Sequence, residues 1–232
     1  MKALMPRISV DVWSDYVCPW CWIAKKRFEK GLEGFEYSKQ VDVRYHSYRI
    51  ASDHSPIPFR SALYQKFGGE HGAELMMNQI ESTGKSEGLI YNFDTMLFGD
   101  TREAHALTAA ARESGFGAQM SEKLFFASTT EGRSIFDRDE LIALAVEVGM
   151  TISQAESALN NPVFRDSVDD DEARARAIGA SGVPLFVINN KYAISGAQPA
   201  ANFLSALRQV WNETTDESML MEGQVCGIDG CK

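Results

Sequence analysis

Ser14-Asp-Tyr-Val-Cys-Pro-Trp-Cys21 joins the end of one periodic segment to the start of another, and its reading decides the fold. Before it, Ile8-Ser-Val-Asp-Val-Trp13 alternates apolar and polar residues, with Ile8, Val10 and Val12 on one face, the pattern of a strand. After it, Trp22-Ile-Ala-Lys-Lys-Arg-Phe-Glu-Lys30 has the period of an amphipathic helix, which Gly31 and Gly34 are expected to stop. Val41-Asp-Val-Arg-Tyr-His-Ser-Tyr48 alternates again. Strand, helix and strand in that order imply a parallel pair with a crossover helix.

The junction carries chemistry as well as topology. Unpaired N–H groups and the positive dipole end at a helix N-terminus stabilise an anion, which makes Cys18 the candidate thiolate. The i, i+3 spacing puts Cys18 and Cys21 on one face, ~5–6 Å apart, within reach of a disulfide. Pro19 suits the first turn, where its missing N–H would have no partner. Cys18 is then expected to be the exposed attacker, and Cys21, one turn inside, the thiol that resolves the mixed disulfide. Half of a zinc site, an inert disulfide and two thiols close by chance are the competing readings. A zinc site would need Cys226 and Cys231 as its other ligands.

Composition narrows the setting. The 232 residues are 44% hydrophobic and 24% charged, ordinary values for a globular chain. The net charge of −9 argues against nucleic acid and anionic membranes as partners. No apolar run approaches the ~20 residues of a membrane helix. Met1-Lys-Ala-Leu-Met-Pro-Arg7 lacks the apolar region of a signal peptide, so a cytoplasmic protein is expected. Thiols there stay mostly reduced, and a close pair is more often catalytic or metal-binding than structural.

Beyond a loop punctuated by Pro56 and Pro58, helix-period segments are expected at 70–85, 101–114, 118–128, 137–148, 153–160 and 168–178. Asp100-Thr-Arg-Glu103 has the form of a capping box. Asp169-Asp-Asp-Glu172 invites a metal, but consecutive residues fan around a helix, and acids favouring the positive end of its dipole are the preferred reading. Strands return at Pro184-Leu-Phe-Val-Ile188 and Lys191-Tyr-Ala-Ile-Ser195, joined by an Asn189-Asn190 turn. A last helix carries Phe203, Leu204, Leu207 and Trp211, and an irregular acidic arm is expected past Asn212.

Four stretches then combine: Ser14 to Cys21, Thr101-Arg-Glu-Ala-His105, Ser181-Gly-Val-Pro-Leu-Phe186 and Gly196-Ala-Gln-Pro199. In this order, over residues 8–210, they resemble the DsbA-type thioredoxin-fold family, specifically its FrnE-like branch. The resemblance implies an α/β protein, a thioredoxin fold interrupted by an all-helical insertion, with an irregular C-terminal arm. Its halves would be residues 1–55 and 179–212, the insertion 56–178 and the arm 213–232. It implies thiol–disulfide exchange with protein thiols and disulfides, and with small thiols such as glutathione, needing no metal or organic cofactor, no nucleic acid and no membrane. Cys18 would be the nucleophile, Cys21 the resolving thiol and Pro184 a cis-proline, with Pro19, Trp20 and Val183 beside the substrate. Asp100 departs from the family, which has Asn there. His105 has no assigned family role and is read as packing between the helical block and the core.

Some FrnE-like proteins also carry a C-terminal Cys-x4-Cys, and Cys226 and Cys231 match it. Gly227 and Gly230 allow a tight ring, whose closure as a staple would be worth only ~2 kcal/mol. Residues 213–225 would reach ~40 Å if extended, far enough to return to Cys18. An auxiliary dithiol exchanging with the Cys18–Cys21 pair is the expectation. Two other classes stand beside this one. A glutathione-linked transferase or isomerase of the same fold would usually place Ser where Cys18 is. A zinc-stabilised binding module would use all four cysteines.

Overall fold

A computed structural model describes residues 8–222, with side chains through residue 215. Strand β1 (Ile8–Ser14) lies parallel to β2 (Val41–Ser47), Ile8 beside Val41 and Ser14 beside Ser47, with α1 (Pro19–Glu33) crossing between them. Two short strands, β3 (Ile57–Pro58) and β4 (Leu97–Phe98), pair antiparallel around α2 (Phe59–Phe67) and α3 (Glu70–Ser86). Helices α4 (Arg102–Glu113), α5 (Gly117–Phe126), α6 (Arg138–Glu147), α7 (Ile152–Asn160) and α8 (Pro162–Ala177) follow. The chain then returns through β5 (Leu185–Ile188), β6 (Tyr192–Ser195) and α9 (Ala200–Glu222). The main sheet has the order β2-β1-β5-β6, with β5 antiparallel to both β1 and β6. A helical insertion therefore separates the parallel pair from the hairpin that completes the sheet. Asn189 and Asn190, with φ of 49° and 52°, make that hairpin's turn.

The alternation in β1 becomes two chemically different faces. Ile8, Val10 and Val12 pack with Phe28 of α1, Phe186 of β5, and Phe203 and Leu207 of α9. The Phe28–Phe186 and Phe186–Phe203 rings lie 5.2 and 4.7 Å apart. Burial of each such side chain is worth about 1.5–3 kcal/mol. On the opposite face Trp13 stacks on His46 at 4.7 Å and donates from Nε1 to the carbonyl of Asp171 in α8 at 2.9 Å.

Several boundaries differ from expectation, each for a physical reason. Gly31 does not stop α1. A Cβ there would stand 2.8 Å from the carbonyl oxygen of Ala200 and 3.0 Å from Cβ of Phe203, so Gly31 lets α9 lie directly on the helix, and Gly34 caps it. Helix α2 begins at once after Pro58, in the stretch read as loop. Helix α8 starts at Pro162, capped by Asn161 Oδ1 accepting from Val163 N at 3.0 Å. Asp169 to Glu172 thus sit in mid-helix, away from the positive dipole end. Asp100 is not a capping residue of the expected kind: Thr101 holds the N-cap position of α4 without a side-chain capping bond, and Asp100 Oδ1 accepts from Arg102 N at 2.9 Å. A capping box does occur at Thr151 and Gln154. Finally, α9 continues past Asn212 to Glu222, so residues 213–222 advance only ~1.5 Å each rather than forming an extended arm.

Candidate active site

Cys18 is the N-cap residue of α1, in extended backbone with φ −99° and ψ 104°. Its N–H donates to the Asp15 carbonyl at 3.2 Å, and Cys21 N–H donates to the Cys18 carbonyl at 2.9 Å, closing the first turn. Both cysteines are free thiols. The Cys18 thiol points at the Val183 carbonyl, 3.9 Å away, across a chain separation of 165 residues. The Val183–Pro184 peptide bond is cis. Expected to be exposed, Cys18 is 8% accessible, against 2% for Cys21, because the helical block packs over the turn. Burial pushes the Cys21 thiol well above its ordinary range, and the adjoining Cys18 sulfur pushes it further by hydrogen bond and charge. Two thiols one turn apart, unequally covered and at the positive end of a helix, can close and open a disulfide.

The insertion holds this turn from outside. Tyr91 donates its hydroxyl to the Pro19 carbonyl at 2.8 Å. Trp22 is core: it is 3% exposed, lies parallel to Phe125 at 6.0 Å, and donates from Nε1 to Glu122 of α5 at 3.2 Å. Glu122 also receives Lys25 at 2.6 Å. Pro19 is buried, whereas Trp20 and Val183 are half-buried at the edge of the same apolar cluster. Beside Val183 and buried Pro184 opens a cavity of about 490 Å³, lined also by Gly182, Tyr192, Ser195 and Gly196.

Behind the turn lies an arrangement that pattern reading missed. Asp15 is fully buried, and its carboxylate accepts from Thr101 Oγ1 and from Ile50 N, each at 2.7 Å. His105 of α4 is 5% exposed, its ring 4.6 Å from that of Tyr16, between the helical block and the sheet. The one available signal for Asp15 was an acid inside an otherwise apolar approach to a helix start. Tyr91 left no signal, since nothing local ties it to Pro19.

The acidic run of α8 does not converge on one point. Asp171 accepts from Ser47 N at 2.8 Å and bonds His46 Nδ1 at 2.9 Å, while His46 Nε2 reaches Asp11 at 2.7 Å. Glu172 takes Arg49 Nε at 2.7 Å and Arg49 N at 3.0 Å. Asp169 pairs with Arg102 and Arg49, and Asp100 faces Arg49 Nη1 at 3.0 Å. Among the described residues no group of three or more His, Cys, Asp or Glu is placed to hold a metal, and no helix is long and apolar enough to cross a membrane. Cys226 and Cys231 lie outside the described residues.

The family model of the DSBA-like thioredoxin domain matches residues 9–208, and the chain belongs to that family of thioredoxin-fold disulfide oxidoreductases. A probable DsbA oxidoreductase from Streptomyces coelicolor is 31% identical and superposes with a TM-score of 0.84, over 97% of this chain and 98% of that one. The uncharacterized protein YwbO of Bacillus subtilis (strain 168) is 26% identical over 198 residues, 79% of this chain and 88% of the relative. The cytosolic disulfide reductase DsbM from Pseudomonas aeruginosa, 22% identical, shares the fold with a TM-score of 0.63 over 88% of this chain and 98% of its own.

Proposed function

We propose that the protein exchanges disulfides with protein substrates through Cys18 and Cys21. Cys18 attacks from the helix N-terminus, and Cys21 resolves the mixed disulfide. The observation that carries this reading is the Cys18 thiol at the N-cap of α1, 3.9 Å from the Val183 carbonyl, with the proton-retaining Cys21 thiol one turn behind it. Val183, Pro184 and Trp20 border the approach to Cys18 and would meet the client, with Pro19 supporting the turn from beneath. Residues 1–55 and 179–212 would form the thioredoxin-fold halves, 56–178 the insertion and 213–232 the C-terminal segment. Small thiols such as glutathione are a second substrate class; a solved structure of the DsbM neighbour contains glutathione. The assignment extends to the FrnE-like branch, to a cytoplasmic setting, and to Cys226 and Cys231 as an auxiliary dithiol.

Dithiol-dependent reduction of insulin tests the core of the reading. The wild-type chain should accelerate it and Cys18→Ser should not. Equal activity in the two would end it.

A further inference from the structure

Tyr91 comes from the insertion, 72 residues from Pro19 in the chain, yet its hydroxyl donates to the carbonyl between the two cysteines at 2.8 Å. Neighbouring residues are shaped to hold it there. Gly84, buried near the end of α3, leaves room for the ring: a Cβ there would overlap Cε2 of Tyr91 and stand 2.9 Å from Cδ2. Trp22 meets the ring edge-on at 5.9 Å, and Phe93 lies parallel to it at 5.7 Å. The backbone is fastened on both sides, because Thr130 Oγ1 donates to the Ile90 carbonyl at 2.6 Å and Asn92 N–H donates to the Thr129 carbonyl at 2.7 Å. Tyr91 is 7% exposed, and a phenylalanine would fill the same apolar site with no hydroxyl to satisfy. The Pro19 carbonyl has no need of the bond either, since a carbonyl in the first helical turn already faces the N–H four residues on.

The consequence of the bond lies in the backbone between the sulfurs. Closing a Cys18–Cys21 disulfide draws the two side chains together, and the peptide units that link them take up the movement. The Pro19 ring locks φ, so rotation falls on Pro19 ψ and on Trp20. Rotation about Pro19 ψ swings the carbonyl that Tyr91 holds. The bond is made with both thiols free, so it opposes closure and favours the dithiol. Burial keeps the Tyr91 hydroxyl protonated, and negative charge on Cys18 and Cys21 pushes the same way. The hydroxyl therefore stays a donor and lies within electrostatic reach of both sulfurs.

On the exchange reading given above, we propose that Tyr91 is a positioning residue that holds the redox turn in its dithiol geometry and so makes the Cys18–Cys21 couple more oxidising. In oxidising a client, the Cys18–Cys21 disulfide takes up two electrons and two protons and opens to two thiols. Two client thiols give them up and join in one S–S bond, and reduction of a client is the reverse. Tyr91 acts on the sulfurs through the Pro19 carbonyl, with Gly84 as the socket that sets its ring.

Equilibration with glutathione tests this. The full-length chain carries Cys226→Ser and Cys231→Ser so that only Cys18 and Cys21 report. It is brought to equilibrium in buffers of graded reduced and oxidised glutathione, quenched in acid, and its free thiols are counted by alkylation and mass. Tyr91→Phe removes the hydroxyl and keeps the ring. The midpoint ratio, reduced glutathione squared over oxidised, should rise about fivefold, a potential about 20 mV lower. Gly84→Ala, which displaces the ring, should raise the ratio by itself and add nothing in the Tyr91→Phe background. A hydroxyl that only stabilised the fold would lower the thermal midpoints of the dithiol and disulfide forms alike and leave the ratio where it was. An unmoved or lowered ratio in Tyr91→Phe overturns the proposal, and so does a Gly84→Ala effect undiminished in that background. Should the chain with Tyr91 intact form no Cys18–Cys21 disulfide at any ratio, the exchange reading fails and the proposal with it.

Discussion

Cys18 and Cys21 share one helical turn yet meet different surroundings, and the difference comes from residues far away in the chain. Val183 supplies the carbonyl facing Cys18, and Tyr91 fixes the Pro19 carbonyl between the two. The cysteine spacing, the helix start and the Gly-Val-Pro stretch were legible locally, because spacing and turn chemistry are local properties. The partners of Asp169, Asp171 and Glu172 were not, since Arg49, Arg102 and His46 reach them across more than sixty residues of intervening chain. Arg49 shows what such a partner does. Its guanidinium is 5% exposed and joins Asp100, Asp169 and Glu172, so three acids from two separate stretches of chain share one buried cation. Arg49→Leu would leave buried Glu172 with only the looser Arg176 guanidinium at 3.6 Å, and chemical denaturation should register a loss of about 3 kcal/mol. An unchanged unfolding midpoint would refute that role.

At the scale of elements, periodicity located strands and most helices but not their ends. Gly31 reads as a helix stop by residue type, yet its missing Cβ serves contact between α1 and α9. Gly31→Ala would force the added methyl against the Ala200 carbonyl, a backbone atom with little freedom to withdraw. Overpacking of this kind costs about 1–3 kcal/mol, so the thermal midpoint should fall. A raised midpoint, as expected for an alanine added to an unobstructed helix, would show that the two helices are less tightly apposed. The start of α8 was hidden for a related reason. Asn161-Pro162 is a good helix opening, but the polar residues that follow earn their burial from the sheet and from α4 rather than from an apolar stripe of their own.

For the whole molecule, the titrating groups bound a window of stability. Burial raises the Cys21 thiol, and it raises the hydroxyls of Tyr16 and Tyr91, the latter also through the charges of Cys18 and Cys21. Each is held neutral in the folded state. Its contribution is complete below the unfolded values of about 8.5 for Cys and 10 for Tyr, and is lost as pH rises above them. On the acid side, burial opposes ionisation of Asp171, Asp100 and Glu122, but bonds from His46, Ser47 and Arg174, from Asp53, Arg102 and Arg49, and from Lys25 and Lys26 outweigh it. Those contributions are complete above about pH 4 and are lost as pH falls below it. The denaturation midpoint of the reduced protein should therefore be flat from about pH 5 to 8 and fall on both sides. A midpoint that climbs between pH 9 and 11 would contradict this. The central claim, that Cys18 is the sulfur that meets the client, is tested most directly by trapping. Cys21→Ala protein is mixed with a disulfide-bonded client, quenched in acid and mapped by peptide mass spectrometry. The expected result is a client cysteine joined to Cys18; attachment at Cys226 or Cys231 instead, or no adduct from a protein whose wild-type form turns the client over, would contradict it.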